Sequence, residues 1–246
     1  MTNFVIAVTT CSKHLSTRVP YIEKYCLQTA PHFLFTGNIK KLKKQHIPLN
    51  CLDDYFSLRL KTFAIFNWFL STKYEYLVKC DDDTFIDCKE IEKLLPAAYI
   101  GAFTTFSKSK ESIIYHLDYI YKITQRRQDL SYFKEMLFDF KYAEGSCYIL
   151  DRNSVERIVK YELDNKIPGI IQEDITVGYI AHLLNVHITD FTLPLQWYGN
   201  THFSFHPCKE ALFPILASKS NLADRVDTLK KLLIYNNHYQ KYFDLG

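Results

Sequence analysis

Three consecutive aspartates, Asp81-Asp82-Asp83, follow the apolar stretch from Tyr74 to Cys80. Side chains alternate in direction along an extended backbone, so Asp81 and Asp83 are expected on one side and Asp82 on the other. Two carboxylates on one side can meet a single cation. An all-oxygen donor set suits a hard divalent ion, Mn²⁺ or Mg²⁺, which keeps positions for phosphate oxygens and water. A diphosphate-bearing substrate is the chemistry this implies. The competing reading makes the triplet an acidic cap of the next helix, but three acids in one turn repel each other, which favours a counter-ion. A second acidic pair, Glu173-Asp174, stands before Ile175-Thr176-Val177-Gly178-Tyr179-Ile180. There it is either an ordinary helix start or a carboxylate fixed within reach of a hydroxyl, as a general base. His202 and His206 flank Phe203-Ser204-Phe205 and are read as a late metal ligand or as packed histidines. Gly145 permits either a close backbone approach to a ligand or a plain turn, and Trp197 and Tyr198 either stack on a sugar or fill a core.

Groups so far apart in the chain need a substantial scaffold to meet. The 246 residues are 48% hydrophobic and 23% charged. That is enough to bury a core without staples and too apolar for a disordered chain. Thirty Lys and Arg against 27 Asp and Glu leave +3, too little for a general nucleic-acid footprint, and the tract Lys40-Lys41-Leu42-Lys43-Lys44 reads as a solvated face. Seven scattered cysteines with no CxxC pair suggest reduced, packed thiols rather than a zinc ribbon or disulfide framework. With no secretory leader and no run of about 18 apolar residues, a cytoplasmic chain without a membrane span is expected. The composition sets no oligomeric state.

Along the chain, strands are expected at Phe4 to Val8, His32 to Phe35, Tyr74 to Cys80, Ile100 to Thr105, Cys147 to Leu150 and Val186 to Phe191. Helices are expected at Arg18 to Gln28 and at Asp53 to Leu70, the latter behind the capping candidates Asp53 and Asp54. Further helices fall at Ile91 to Leu95, Asn153 to Lys160, Ile175 to Leu184 and Leu222 to Tyr239. Glu111 to Tyr142 gives mixed signals and reads as a long loop or insertion over the site. Alternating strands and helices argue an α/β sheet with helices on both faces.

Taken in order, these segments resemble the inverting β1,3-glycosyltransferases of the fringe and core-1 β1,3-galactosyltransferase type. The resemblance rests on five ordered motifs. Asp53-Asp54-Tyr55 with Leu58 and Leu60-Lys61-Thr62 is similar to the family's acidic-aromatic helix. The stretch from Tyr76 to Ile86 is similar to its metal-binding strand and turn. Tyr142 to Leu150 resembles its glycine-containing strand, although the family often carries a run of glycines where this chain has Glu144-Gly145-Ser146-Cys147. Glu173 to Tyr179 resembles the acidic motif, and Phe205-His206-Pro207 the late histidine motif.

The resemblance implies a GT-A fold over residues 1–246, with a nucleotide-sugar-binding part at about 1–105 and an acceptor-binding, catalytic part at about 106–246. It implies a uridine diphosphate sugar as donor, a glycan as acceptor, and Mn²⁺, or Mg²⁺ in its place, as cofactor. Asp83, supported by Asp81, would hold the metal, with His206 as the late ligand and His202 the alternative. Thr9, Thr10, Arg18, Lys61, Asp81 and Asp82 would face the donor. Asp174 would be the catalytic base, with Glu173 the adjacent candidate, and galactose is the favoured sugar. Two rivals remain at this stage: a two-metal nucleotidyl or phosphoryl transferase, and a non-catalytic module that binds a uridine diphosphate sugar.

Overall fold

The computed structural model describes residues 3–40, 43–126, 138–165 and 172–191, together with Ser204, Phe205, Asp224 and Thr228. At its centre is a seven-stranded mixed sheet. The strands are β1 (Phe4–Thr9), β2 (His32–Thr36), β3 (His46–Pro48), β4 (Tyr76–Asp81), β6 (Tyr99–Phe106), β7 (Phe140–Asp151) and β8 (Ile188–Asp190). Their spatial order is β3-β2-β1-β4-β7-β6-β8. The first four are parallel, β7 runs antiparallel to β4 and to β6, and β8 pairs parallel with β6. A separate two-stranded ribbon joins β5 (Phe85–Ile86) to β9 (Ser204–Phe205).

Alternation along the buried strands creates two cores. Phe4, Ile6 and Val8 of β1 and Val78 and Cys80 of β4 meet Val19 and Ile22 of α1 (Val19–Tyr25) and Ile91 of α3 (Cys88–Leu94). Val5, Ala7 and Leu77 point the other way. They are covered by Ile65, Phe66 and Phe69 of α2 (Leu58–Leu70), Val155 and Ile158 of α5 (Arg152–Asp164), and Val177 and Ile180 of α6 (Glu173–Leu183). Helices thus lie on both faces, as the alternating pattern predicts. Parallel strands buried on both sides need continuous apolar runs, which is why Phe4 to Val8 carries no polar alternation.

Two expectations change. Glu111 to Tyr142 is not simply a long loop: α4 (Lys110–Thr124) occupies its first half, capped by the Ser109 hydroxyl, which accepts from the amide of Ser112. Ile120 of α4 packs with Phe106, Phe140 and Tyr179 in a third cluster, and the many exposed tyrosines hid that single apolar contact line. β7 also begins seven residues before the expected Cys147, at Phe140. Its first half pairs with β6 beyond an irregularity between Gly101 and Phe103, and such a bulge breaks a regular apolar period. Of the expected terminal helix, Asp224 and Thr228 fall among the described residues, both helical.

Candidate active site

The carboxyl ends of parallel strands β1 and β4 lie side by side, with Thr9 in register with Asp81. Loops at this edge of an α/β sheet are where ligands collect. β4 ends at Asp81, and the turn that follows redirects the next two aspartates, so the extended alternation expected of the triplet stops after its first member. Asp82 is buried. It accepts hydrogen bonds from the Thr10 hydroxyl at 2.6 Å, from His14 Nδ1 at 2.9 Å and from Arg18 Nη1 at 3.0 Å. The same guanidinium nitrogen donates to Asp83 at 2.8 Å. Asp82 and Asp83 therefore share Arg18, while Asp81 is bonded to Lys79 and stays near enough to Asp83 for the two charges to act on each other.

The partner of Asp81 is a residue whose importance the sequence reading missed. Lys79 stands two positions before Asp81 on β4, so alternation puts both side chains on one face. Its ammonium is fully buried and donates to Asp81 Oδ1 at 2.8 Å, Glu173 Oε1 at 2.8 Å and the Gly145 carbonyl at 2.6 Å. Three donors meet three acceptors, the full capacity of an ammonium group. Burial opposes its charge, but Asp81 and Glu173 outweigh that and hold the lysine protonated well above its usual range. The signal available beforehand was a lysine inside an otherwise apolar strand, a position where charge is tolerated only if paired.

Glu173 and Asp174 open α6, yet neither acts as its cap, because the N-cap position is Gln172 and makes no side-chain cap bond. Asp174 reaches across to β7 instead. Its Oδ2 accepts from the Gly145 amide at 3.1 Å and its Oδ1 from the amide of Ile175 at 2.8 Å. Gly145 is therefore not a turn glycine but a mid-strand one. A Cβ there would come within 2.7 Å of Glu173 Oε1, so a larger residue would push the Glu173 carboxylate off its place beside Lys79. Burial and the Glu173 charge push the Asp174 carboxyl well above the usual carboxylate range, against the two amide donors. Burial moves Asp81 upward too, with Glu173 and Asp83 adding to it and Lys79 opposing. Asp81, Asp83, Glu173 and Asp174 thus lie in one electrostatic neighbourhood served by two cations.

The expected capping pair divides its roles. Asp54 caps the short turn before α2 by accepting from the Ser57 amide at 2.9 Å. Asp53 instead gathers the Ser12 amide at 2.6 Å, the Gly37 amide at 2.7 Å and the Lys61 ammonium at 2.7 Å. Lys61 is nearly buried and also donates to the Thr10 carbonyl, so two loops at the sheet edge and α2 are tied to one carboxylate. Burial raises the Asp53 pKa, but the bonds from Lys61, Ser12 and Gly37 outweigh it and hold the group at about 2. A lowered folded-state pKa adds stability above the unfolded value, which fades as the pH falls through the folded one. Asp53→Ala is expected to cost about 2 kcal/mol at pH 7, because it leaves Lys61 without its carboxylate partner. In urea denaturation the gap from wild type should narrow between pH 4 and pH 2, and a difference independent of pH would reject this account.

Thr10 and Arg18 thus converge on the aspartate turn, and Lys61 stands one loop away. The Thr9 hydroxyl is buried with no hydrogen-bond partner among the described residues. His202 and His206 lie outside the described residues, although the β5–β9 pairing places Phe205 beside Phe85, two residues after Asp83. Asp81 and Asp83 retain 39% and 24% side-chain exposure. Both carboxylates carry oxygen donors only, and an all-oxygen set of this kind fits a hard divalent cation.

The sequence model of the galactosyltransferase family matches residues 39–192. That span includes Lys61, Lys79, the aspartate turn, Gly145 and the Glu173-Asp174 pair, but not Thr9, Thr10, Arg18 or the two late histidines. No curated protein matches the chain.

Proposed function

The chain belongs to the galactosyltransferase family and is a glycosyltransferase, and from that premise we propose that it moves a hexose, galactose foremost, from a uridine diphosphate sugar to a glycan hydroxyl with inversion. The observation that carries this reading is the juxtaposition of two acidic groups of different character. Arg18 and Lys79 hold the aspartates at the end of β4, while Asp174 is oriented by the Gly145 and Ile175 amides. Within that family we place it with the fringe and core-1 type.

Asp83 and Asp81 would hold Mn²⁺, or Mg²⁺, with His206 or His202 as the late ligand, and the ion when bound supplies Lewis-acid neutralisation of the leaving diphosphate. Arg18 contributes a second positive charge at the same place, fixed in advance by Asp82 and Asp83. Preorganised charge of this kind needs no rearrangement as the bond breaks. Thr9 at the end of β1, Thr10 just after it and Lys61 of α2 stand at the same sheet edge, where the uridine and phosphates would lie. Asp174 takes the proton from the acceptor hydroxyl as its oxygen attacks the anomeric carbon from the face opposite the diphosphate. Glu173 is engaged by Lys79 at 2.8 Å and is nearly buried, so Asp174 is the carboxylate of the pair left for that task. An α-linked donor then gives a β-linked product.

The test is nucleotide release from a panel of uridine diphosphate sugars, with and without Mn²⁺, since slow hydrolysis reports the donor even without the acceptor. Release from the galactose donor that is abolished by chelator, and donor binding weakened at least about tenfold by Asp83→Ala, are the expected results. Turnover of nucleoside triphosphates would favour the phosphoryl-transfer rival. Tight donor binding without release or transfer to any glycan would reduce the protein to a binding module.

A further inference from the structure

A second cluster of metal-ligating atoms is built on the middle aspartate of the turn. Cys11 and His14 bracket the 3₁₀ turn Ser12–His14, whose amide at His14 donates to the Cys11 carbonyl at 3.0 Å. Cys11 is the extended residue that enters the turn and His14 closes it, so the chain folds the imidazole back toward the thiol. Asp82 closes the group. One atom from each residue, the Cys11 sulfur, a His14 ring nitrogen and an Asp82 carboxylate oxygen, lies within 4.8 Å of the other two. The turn is pinned from behind by the bond from the Ser12 amide to Asp53.

We propose that Cys11, His14 and Asp82 form a Zn²⁺ site distinct from the Asp81–Asp83 pair. The two sites differ in donor chemistry. Sulfur, imidazole nitrogen and one oxygen make a borderline-soft set, which zinc takes and which Mg²⁺ or Mn²⁺ does not favour, whereas the neighbouring pair offers oxygen alone. The distances require little movement. Tetrahedral zinc places nitrogen and oxygen ligands about 3.3 Å apart, so the His14 Nδ1 to Asp82 Oδ2 contact of 2.9 Å opens slightly while the sulfur moves inward. The ring then carries its proton on Nε2, and the thiol proton passes to solvent.

The supporting contacts are also in place. The Thr10 hydroxyl donates to the same Oδ2 and Arg18 to Oδ1, which orients the carboxylate as outer-shell partners do in zinc centres. A thiolate and the Asp82 carboxylate balance the charge of the ion, and Arg18 keeps Asp83 as its second partner. Three protein ligands leave one position for water. The site follows from side-chain geometry and does not depend on which sugar is transferred.

The probes are Zn²⁺ alone, competed against a chromophoric chelator, and Co²⁺ as its spectroscopic substitute. Wild type should bind one equivalent of Co²⁺ at this site with a thiolate-to-metal charge-transfer band, displaced by Zn²⁺. Cys11→Ser should abolish the band, and both Cys11→Ser and His14→Gln should weaken Zn²⁺ binding at least about tenfold, with circular dichroism unchanged. Asp83→Ala should keep the band and the zinc affinity. Absence of the band in wild type, its survival in Cys11→Ser, or its loss in Asp83→Ala would each overturn the proposal.

Discussion

Asp174→Asn is expected to lower transfer about 10³-fold, the usual scale for removing a positioned general base, while leaving donor binding within about twofold of wild type. The amide oxygen of asparagine can still accept from the Gly145 amide, the contact Asp174 makes at 3.1 Å, so the link between α6 and β7 is preserved. What is lost is the capacity to take a proton. Single-turnover transfer to the true acceptor, set beside nucleotide titration, separates the two effects, and full turnover by the variant would show that another group acts as base. The wild-type enzyme carries a related signature. Burial and Glu173 hold the Asp174 carboxyl above its ordinary range, and the base works only when ionised. The acidic limb of kcat should therefore rise with pH across a window well above pH 4, and Asp174→Asn should flatten it.

Lys79→Met is expected to damage the fold as well as the chemistry. It strips Asp81 and Glu173 of the ammonium that meets each at 2.8 Å, and removing one partner of a buried pair costs about 3–5 kcal/mol. Against a total stability of about 5–15 kcal/mol for a typical protein, the single variant should unfold at markedly lower urea. The paired variant Lys79→Met with Glu173→Gln removes a positive and a negative charge together and should recover roughly half of that loss. It should still transfer poorly, because Asp81 and the Gly145 carbonyl lose their shared donor. If Lys79→Met alone were as stable and active as wild type, the lysine would have no role in joining the aspartate turn to α6.

These two residues show what pattern reading can and cannot reach. Asp174 was legible because two adjacent carboxylates before an apolar, helix-forming run are unusual enough to demand a reason, whether cap or base. Its partner was not, since the bond to Gly145 joins positions 29 residues apart and depends on β7 running antiparallel beside β4. Lys79 falls within the stretch from Tyr76 to Ile86, but the sequence shows only a lysine in an apolar strand. That it is saturated by three acceptors from β4, β7 and α6 is a property of the packed sheet.

The apolar runs at Phe4 to Val8 and Tyr76 to Cys80, the 3.6-residue periodicity of α2 and the clustering of acids at two element boundaries follow from local chemistry. They were enough to read an α/β sheet and an acidic edge, because burial and backbone alternation act over a few residues. Local chemistry could not settle which aspartate of the triplet faces which side. That depends on β4 ending at Asp81 and on Arg18, at the start of α1, drawing Asp82 and Asp83 together. Nor could it show that Asp53 serves two loops and a helix rather than a cap. Charges are placed by whichever opposite charge the fold brings near, and that proximity is decided across the whole chain.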